Sequence, residues 1–154
     1  MFAPDVLVAP FLKRMIPEDV WRRVPCLVVH PGPEGDRGPA ALDWAILEEE
    51  AAWGVTILQA TAIPDGGPVA FSARFPMRLA SKSSLYRHEV TECAVSGIQA
   101  ALAALASGAP FRQPAPPLSC GEEAAPAAHD RFRPAPSQAR RQIDWQNDST
   151  ATVL

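Results

Sequence analysis

His30 closes an apolar run, Cys26-Leu-Val-Val-His30, and opens onto a loop, while Asp65 lies in the turn Pro64-Asp-Gly-Gly-Pro68. An imidazole titrates near neutrality, and a neighbouring carboxylate orients it and favours its charged form. A His/Asp pair can therefore do general acid/base work. Both residues follow strand-like runs, and in an open parallel sheet such strand ends share a rim that faces one crevice. The same two residues also suit plainer parts, because a histidine before proline at a strand end is a common loop residue and Asp before Gly-Gly a common turn former. Asp36 and Arg37 could bind an anionic ligand or pair with each other. Lys82, Arg87, His88 and Glu89 read as solvated residues at the start of a helix, and Trp21, Trp44 and Trp53 as packing residues.

These side chains need elements to hold them. Asp5 to Pro10 is a short apolar run closed by proline, which suits a strand, and Ile16 to Trp21 suits a short helix with Pro17 in its first turn. Cys26 to His30 is a second buried strand. Pro31 to Pro39 holds three glycines and three prolines in nine residues, so a loop of special backbone geometry is expected there. Ala40 to Ala52 reads as a helix with one apolar stripe, ended by Gly54. Val55 to Thr61 and Val69 to Phe75 are the third and fourth strands, joined like a hairpin across the Pro64 to Pro68 turn. A long helix is expected from Ser83 to about Ser107, with Val95, Ile98, Leu102 and Leu105 on its buried face. Strands alternating with helices predict an α/β architecture with a mostly parallel sheet. The chain opens almost directly on a strand, so the Rossmann-like sheet is expected to be incomplete, lacking its first βαβ units.

Seven prolines crowd the stretch from Pro110 to Pro136, which cannot continue either helix or sheet. Residues 109–137 are therefore expected to form a Pro-rich linker that packs little, with the folded part ending near Gly108. The net charge of −3, with acids and bases interspersed, argues against a nucleic-acid partner. Cys26, Cys93 and Cys120 are widely spaced, without CxxC or histidine at ligand spacing, so neither a metal site nor a disulfide framework is indicated. They read as free thiols of a reducing cytosol. The apolar run Ile98 to Ala106 is far shorter than the roughly 20 residues of a membrane span, and no signal peptide is visible, so a cytoplasmic protein is expected.

The run His30-Pro-Gly-Pro-Glu-Gly-Asp-Arg-Gly-Pro-Ala-Ala-Leu-Asp-Trp-Ala-Ile46 resembles the formyltransferase motif in which a catalytic His is followed by a loop ending Arg-Gly and then a helix. Its spacing is one residue shorter than in methionyl-tRNA formyltransferases. Gly54-Val-Thr-Ile57, followed by Asp65 and Gly67, is similar to that family's Gly-Val-Thr strand and Asp-x-Gly turn. Ser81 to His88, Val90-Thr-Glu92, Ile143-Asp-Trp145 and Thr150 to Leu154 resemble the hydrogenase-maturation (HypX/HoxX) branch in particular. One departure is Val28, where the wider family has an Asn two residues before the His.

The resemblance implies a domain that takes a formyl group from 10-formyltetrahydrofolate, with coenzyme A as the acceptor in this branch, in making the carbon monoxide ligand for hydrogenase maturation. In that scheme His30 would protonate or stabilise the oxyanion of the tetrahedral intermediate, and Asp65 would hold the imidazolium and relay protons. Gly32, Arg37, Gly38, Ile63, Pro64 and Gly67 would line the folate pocket. Folate, coenzyme A and hydrogenase maturation proteins are the implied partners. The implied layout is a partial catalytic domain at 1–108, the linker at 109–137 and the start of a following segment at 138–154. An inactive remnant and a formyltetrahydrofolate hydrolase, in which water replaces the acceptor, are the competing functions.

Overall fold

The computed structural model describes residues 3–113 and 131–149. Four strands form the main sheet in the order β1 (Leu7–Pro10), β2 (Cys26–His30), β4 (Ala52–Gln59), β5 (Val69–Pro76). A second, two-stranded sheet pairs β3 (Asp36–Arg37) with β6 (Arg131–Phe132). The helices are α1 (Glu18–Trp21), α2 (Ala41–Leu47), α3 (Lys82–Leu85) and α4 (Thr91–Ala106). A single π turn, Tyr86–Val90, joins the last two.

The α/β architecture is as expected, but the main sheet is mixed rather than mostly parallel. Within it only β1 and β2 run parallel, and β4 pairs antiparallel with both β2 and β5. Helix content does not decide strand direction. The segment between β2 and β4 loops and returns on the same edge instead of crossing over the sheet as a βαβ unit would.

α2 stops earlier than its composition suggests. Glu49 takes a left-handed conformation, with φ 51°, and turns the chain at Glu48-Glu49-Glu50. Gly54 does not end the helix but lies within β4. A β-carbon there would come within 2.6 Å of the Ala73 carbonyl oxygen of β5, so the close approach of the strands excludes a side chain.

One core cluster joins Leu27 and Val29 of β2, Val55 and Ile57 of β4, Leu42 and Ala45 of α2, and Leu85, Val90, Ala94 and Ala101 of the long helical segment. Each large side chain in it contributes about 1.5–3 kcal/mol by leaving water. The fully buried residues of α4 are Ala94, Gly97 and Ala101; of the expected face, Val95 is half exposed, while Ile98 and Leu102 do pack against the core. The face that α4 turns toward the sheet must be small. A β-carbon on Gly97 would stand 2.6 Å from Phe71 and 2.7 Å from Ile57. The larger Ile98 and Leu102 flank this contact, partly buried.

The stretch 109–137 does not wholly behave as an unpacked linker. Arg112 bridges to Val69 of β5, its guanidinium forks onto Glu34 at 2.6 Å, and Arg133 is 8% exposed. The rest of that stretch, 114–130, lies outside the described residues. Residues 138–141 form a short 3-10 turn. Among the described residues no helix is long and apolar enough to cross a membrane.

Candidate active site

β2 delivers His30 at its end, opposite Thr56 of β4, with the ring buried. The loop that follows is tied to β4 by two side chains. Trp53 Nε1–H donates to the Pro31 carbonyl at 2.9 Å, and the Thr56 hydroxyl donates to the Gly32 carbonyl at 2.9 Å. Gly35, at φ 88°, lets the chain turn back, so that Asp36 sits beside the ring it follows by six residues. His30 Nε2 and Asp36 Oδ2 are 2.9 Å apart. Gly32 closes over this contact, since a β-carbon there would overlap the imidazole and stand 2.5 Å from Asp36 Oδ2.

Asp36 is 1% exposed, and a carboxylate so enclosed needs a cation to offset its lost hydration. Arg133 provides one from 97 residues away. Its Nη2–H donates to Asp36 Oδ1 at 2.7 Å, and its Nη1–H donates to Glu48 at 2.6 Å. Its guanidinium carbon lies 5.5 Å from the rings of both Trp44 and Trp53. Trp44 Nε1–H donates to the Pro134 carbonyl at 2.8 Å, and Arg133 N–H donates to the Arg37 carbonyl at 2.8 Å, so β3 and β6 hold the arginine from its backbone too.

The second carboxylate reaches His30 by a different route from the expected shared rim. Because β4 runs antiparallel to β2, its exit at Gln59 lies beside Leu27, away from His30. The loop from Ala60 to Pro68 then doubles back. Its feet are pinned where Gln59 N–H donates to the Pro68 carbonyl and Ala60 N–H to the Cys26 carbonyl, both at 2.8 Å. Asp65 sits on this loop in a left-handed conformation, φ 51°, that Asp tolerates better than most residues. Its Oδ2 accepts from Gly38 N–H at 3.1 Å, and its Oδ1 stands 3.5 Å from His30 Nδ1.

A cavity of about 450 Å³ opens on this side. Of the residues expected around a pocket, His30, Gly38, Ile63, Pro64 and Asp65 line it, and Val28 also lies in its wall. Gly32, Arg37 and Gly67 do not. Gly32 packs on the His30–Asp36 contact, Arg37 belongs to β3, and Gly67 seats directly on the Gln59 carbonyl. Other walls went unread in the sequence. Phe11, at φ 52°, begins a segment through Ile16 that lines the cavity, and its ring stacks edge-on to Tyr86 at 5.4 Å. Burial, and secondarily the charge of Asp43, pushes the Tyr86 phenol up, so it faces the cavity as a proton-bearing donor. Lys82, also in the wall, is not simply solvated, because Nζ contacts Asp43 at 2.5 Å. Among the described residues no group of three or more His, Cys, Asp or Glu is placed to hold a metal ion.

No protein-family model matches the chain. Over 152 residues, 98% of its length, it is 57% identical to the hydrogenase maturation factor HoxX of Bradyrhizobium diazoefficiens, of which it covers 25%. The solved structure of HypX from Aquifex aeolicus, in complex with tetrahydrofolic acid, superposes with a TM-score of 0.86 at 43% identity, over 97% of this chain and 24% of that one. A methionyl-tRNA formyltransferase of Bordetella pertussis is 34% identical over 90% of this chain and 47% of its own. A 4-N formyltransferase of Francisella tularensis shares the fold, with a TM-score of 0.71 at 16% identity. Fold and sequence define a formyltransferase-like enzyme domain. More particularly, the chain is a partial formyltransferase domain of the HypX/HoxX type, and it spans about a quarter of the length of the HypX and HoxX proteins it matches.

Proposed function

We propose that this chain carries the formyl-transfer site of a hydrogenase maturation factor, using 10-formyltetrahydrofolate as donor and coenzyme A as acceptor. The observation that carries the reading is the contact between His30 Nδ1 and Asp65 Oδ1, at 3.5 Å, on the wall of a cavity in a domain similar to HypX. The cavity's volume, about 450 Å³, is in the range of small-molecule sites, and its wall mixes apolar side chains with a few polar groups as such sites do. The donor folate supplies the formyl group when bound.

The chain's own residues supply the rest. His30 lines the cavity and is placed to offer a proton to the formyl oxygen as negative charge develops there. Such preorganised donors are the usual source of electrostatic catalysis. Asp65, on the cavity side, can take the proton that the acceptor nucleophile gives up. One proton must then reach the folate nitrogen as its bond to the formyl carbon breaks, and the His30–Asp65 pair can return it. Val28 has no side-chain donor, so the side chain two residues before His30 gives the oxyanion no hydrogen bond.

Incubation of the protein with 10-formyltetrahydrofolate, with and without coenzyme A, tests the reading. Release of tetrahydrofolate only when coenzyme A is present is the expected result. Release without it would make the protein a hydrolase, and no release under either condition would make it an inactive remnant.

A further inference from the structure

The Nε2 side of His30 is closed by a network that the proposed chemistry does not use: Asp36, Arg133, Glu48 and the two tryptophans. We infer that Asp36 is a positioning residue that fixes neutral His30 as the Nε2–H tautomer and so makes Nδ1 the nitrogen that exchanges protons with Asp65 in the cavity. This rests on the formyl-transfer reading for its consequence in catalysis, but not for the tautomer itself.

Arg133 has donors only, and its Nη2–H donates to Asp36 Oδ1 at 2.7 Å. Asp36 Oδ2 and Asp65 Oδ1 are both acceptors, but Asp36 stands at 2.9 Å from Nε2 and Asp65 at 3.5 Å from Nδ1, so the one proton of the neutral ring goes to the shorter, buried contact on Nε2. Gly32 packs directly on this contact, leaving no space for a side chain over it. With Nε2 committed, a neutral ring carries its lone pair on Nδ1, which faces Asp65 Oδ1 at 3.5 Å. A single proton placed between those two atoms is then the one that can be given and taken back. Asp36 does not line the cavity, whereas His30 does.

Asp36→Asn makes the test sharp. Arg133 still needs an acceptor, so the introduced amide keeps its carbonyl oxygen toward the guanidinium and turns its NH2 toward His30. Nε2 must then accept, and the neutral ring is driven to the Nδ1–H tautomer, with its proton on the wrong nitrogen. A carboxylate-to-amide change behind a catalytic histidine in serine proteases acts in this way.

The experiment is ¹⁵N NMR of the protein labelled at histidine, whose three residues are resolved by comparison with His30→Gln. It is read at the high-pH end of the titration, where the ring is neutral. The expected wild-type spectrum shows Nε2 protonated and Nδ1 bare, inverted in Asp36→Asn. Formyl release by that variant should fall at least about a hundredfold, with its pH profile displaced and its KM for folate little changed, and Asp36→Glu should recover part of the loss. A wild-type ring protonated on Nδ1, or a tautomer unchanged in Asp36→Asn, would overturn the inference. If Asp36→Asn does not fold, the wild-type tautomer alone decides. The predicted tautomers in a protein that releases no formyl group would sink the formyl-transfer reading and leave this inference standing.

Discussion

On the Asp36 side of His30 the carboxylate is enclosed: it is 1% exposed, Arg133 covers it, and Trp44 and Trp53 flank Arg133. On the Asp65 side the carboxylate stands at the edge of a cavity, its side chain 17% exposed, on a loop whose Ile63 is more than half exposed. Two carboxylates at one imidazole are thus held by different means. The first is set by the sheet and by an ion pair across 97 residues, the second by a loop that folds back on its own strand. The difference separates two tasks. The enclosed side fixes where the ring points, and the open side leaves a polar group free to meet what enters.

This contrast can be broken from either side. The largest expected effect is on the enclosed side. Trp53→Ala removes a 1% exposed side chain that packs in the core, flanks Arg133 and holds the Pro31 carbonyl. It should lower stability by about 3–5 kcal/mol, read by denaturant unfolding. Next is Gly38→Ala, where φ is +119° and a β-carbon would overlap the Arg133 carbonyl oxygen. It should cost about 1–3 kcal/mol and loosen Asp65, which accepts from the Gly38 N–H.

A smaller effect depends on pH. Burial pushes the Cys26 thiol up from its ordinary value. A group whose folded pKa is raised contributes stability that is complete below the unfolded value and is lost as pH climbs through the folded one. Stability should therefore fall as pH rises past the ordinary thiol range, and Cys26→Ala should flatten that fall in urea titrations at successive pH values. The smallest effect belongs to the open side. Ile63→Ala, at a site 54% exposed, should change stability by no more than about 0.5 kcal/mol while weakening tetrahydrofolate binding measured by calorimetry. A loss of stability comparable to that of Trp53→Ala would erase the distinction between the two sides.

The sequence was most legible where periodicity and turn chemistry agree. Cys26–His30, the paired strands that contain Val55 and Val69, and a long helical segment beginning near Ser83 all stand within a few residues of where their patterns put them. His30 and Asp65 could be singled out, and they meet, but not by the sharing of a rim between parallel strands. The antiparallel direction of β4 depends on how the loop after β2 returns, which local spacing does not encode. α4 misled because its fully buried face is built of alanine and glycine, which a search for large apolar residues passes over. Arg133 was hidden more deeply. It sits in a Pro-rich stretch with no local periodicity, and its partners Asp36 and Glu48 are 97 and 85 residues distant.

The claim that His30 and Asp65 act as one unit on the formyl group is tested most directly by a double-mutant cycle. Tetrahydrofolate release from 10-formyltetrahydrofolate would be measured for the wild type, His30→Ala, Asp65→Asn and the double variant. Asn tolerates the left-handed backbone that Asp65 adopts, so folding should survive the change. Each single replacement should slow release by at least about a hundredfold, with folate binding largely intact. The double variant should be hardly slower than the worse single one, because groups that act together are not additive. A His30→Ala protein that still releases tetrahydrofolate at near the original rate would contradict the account.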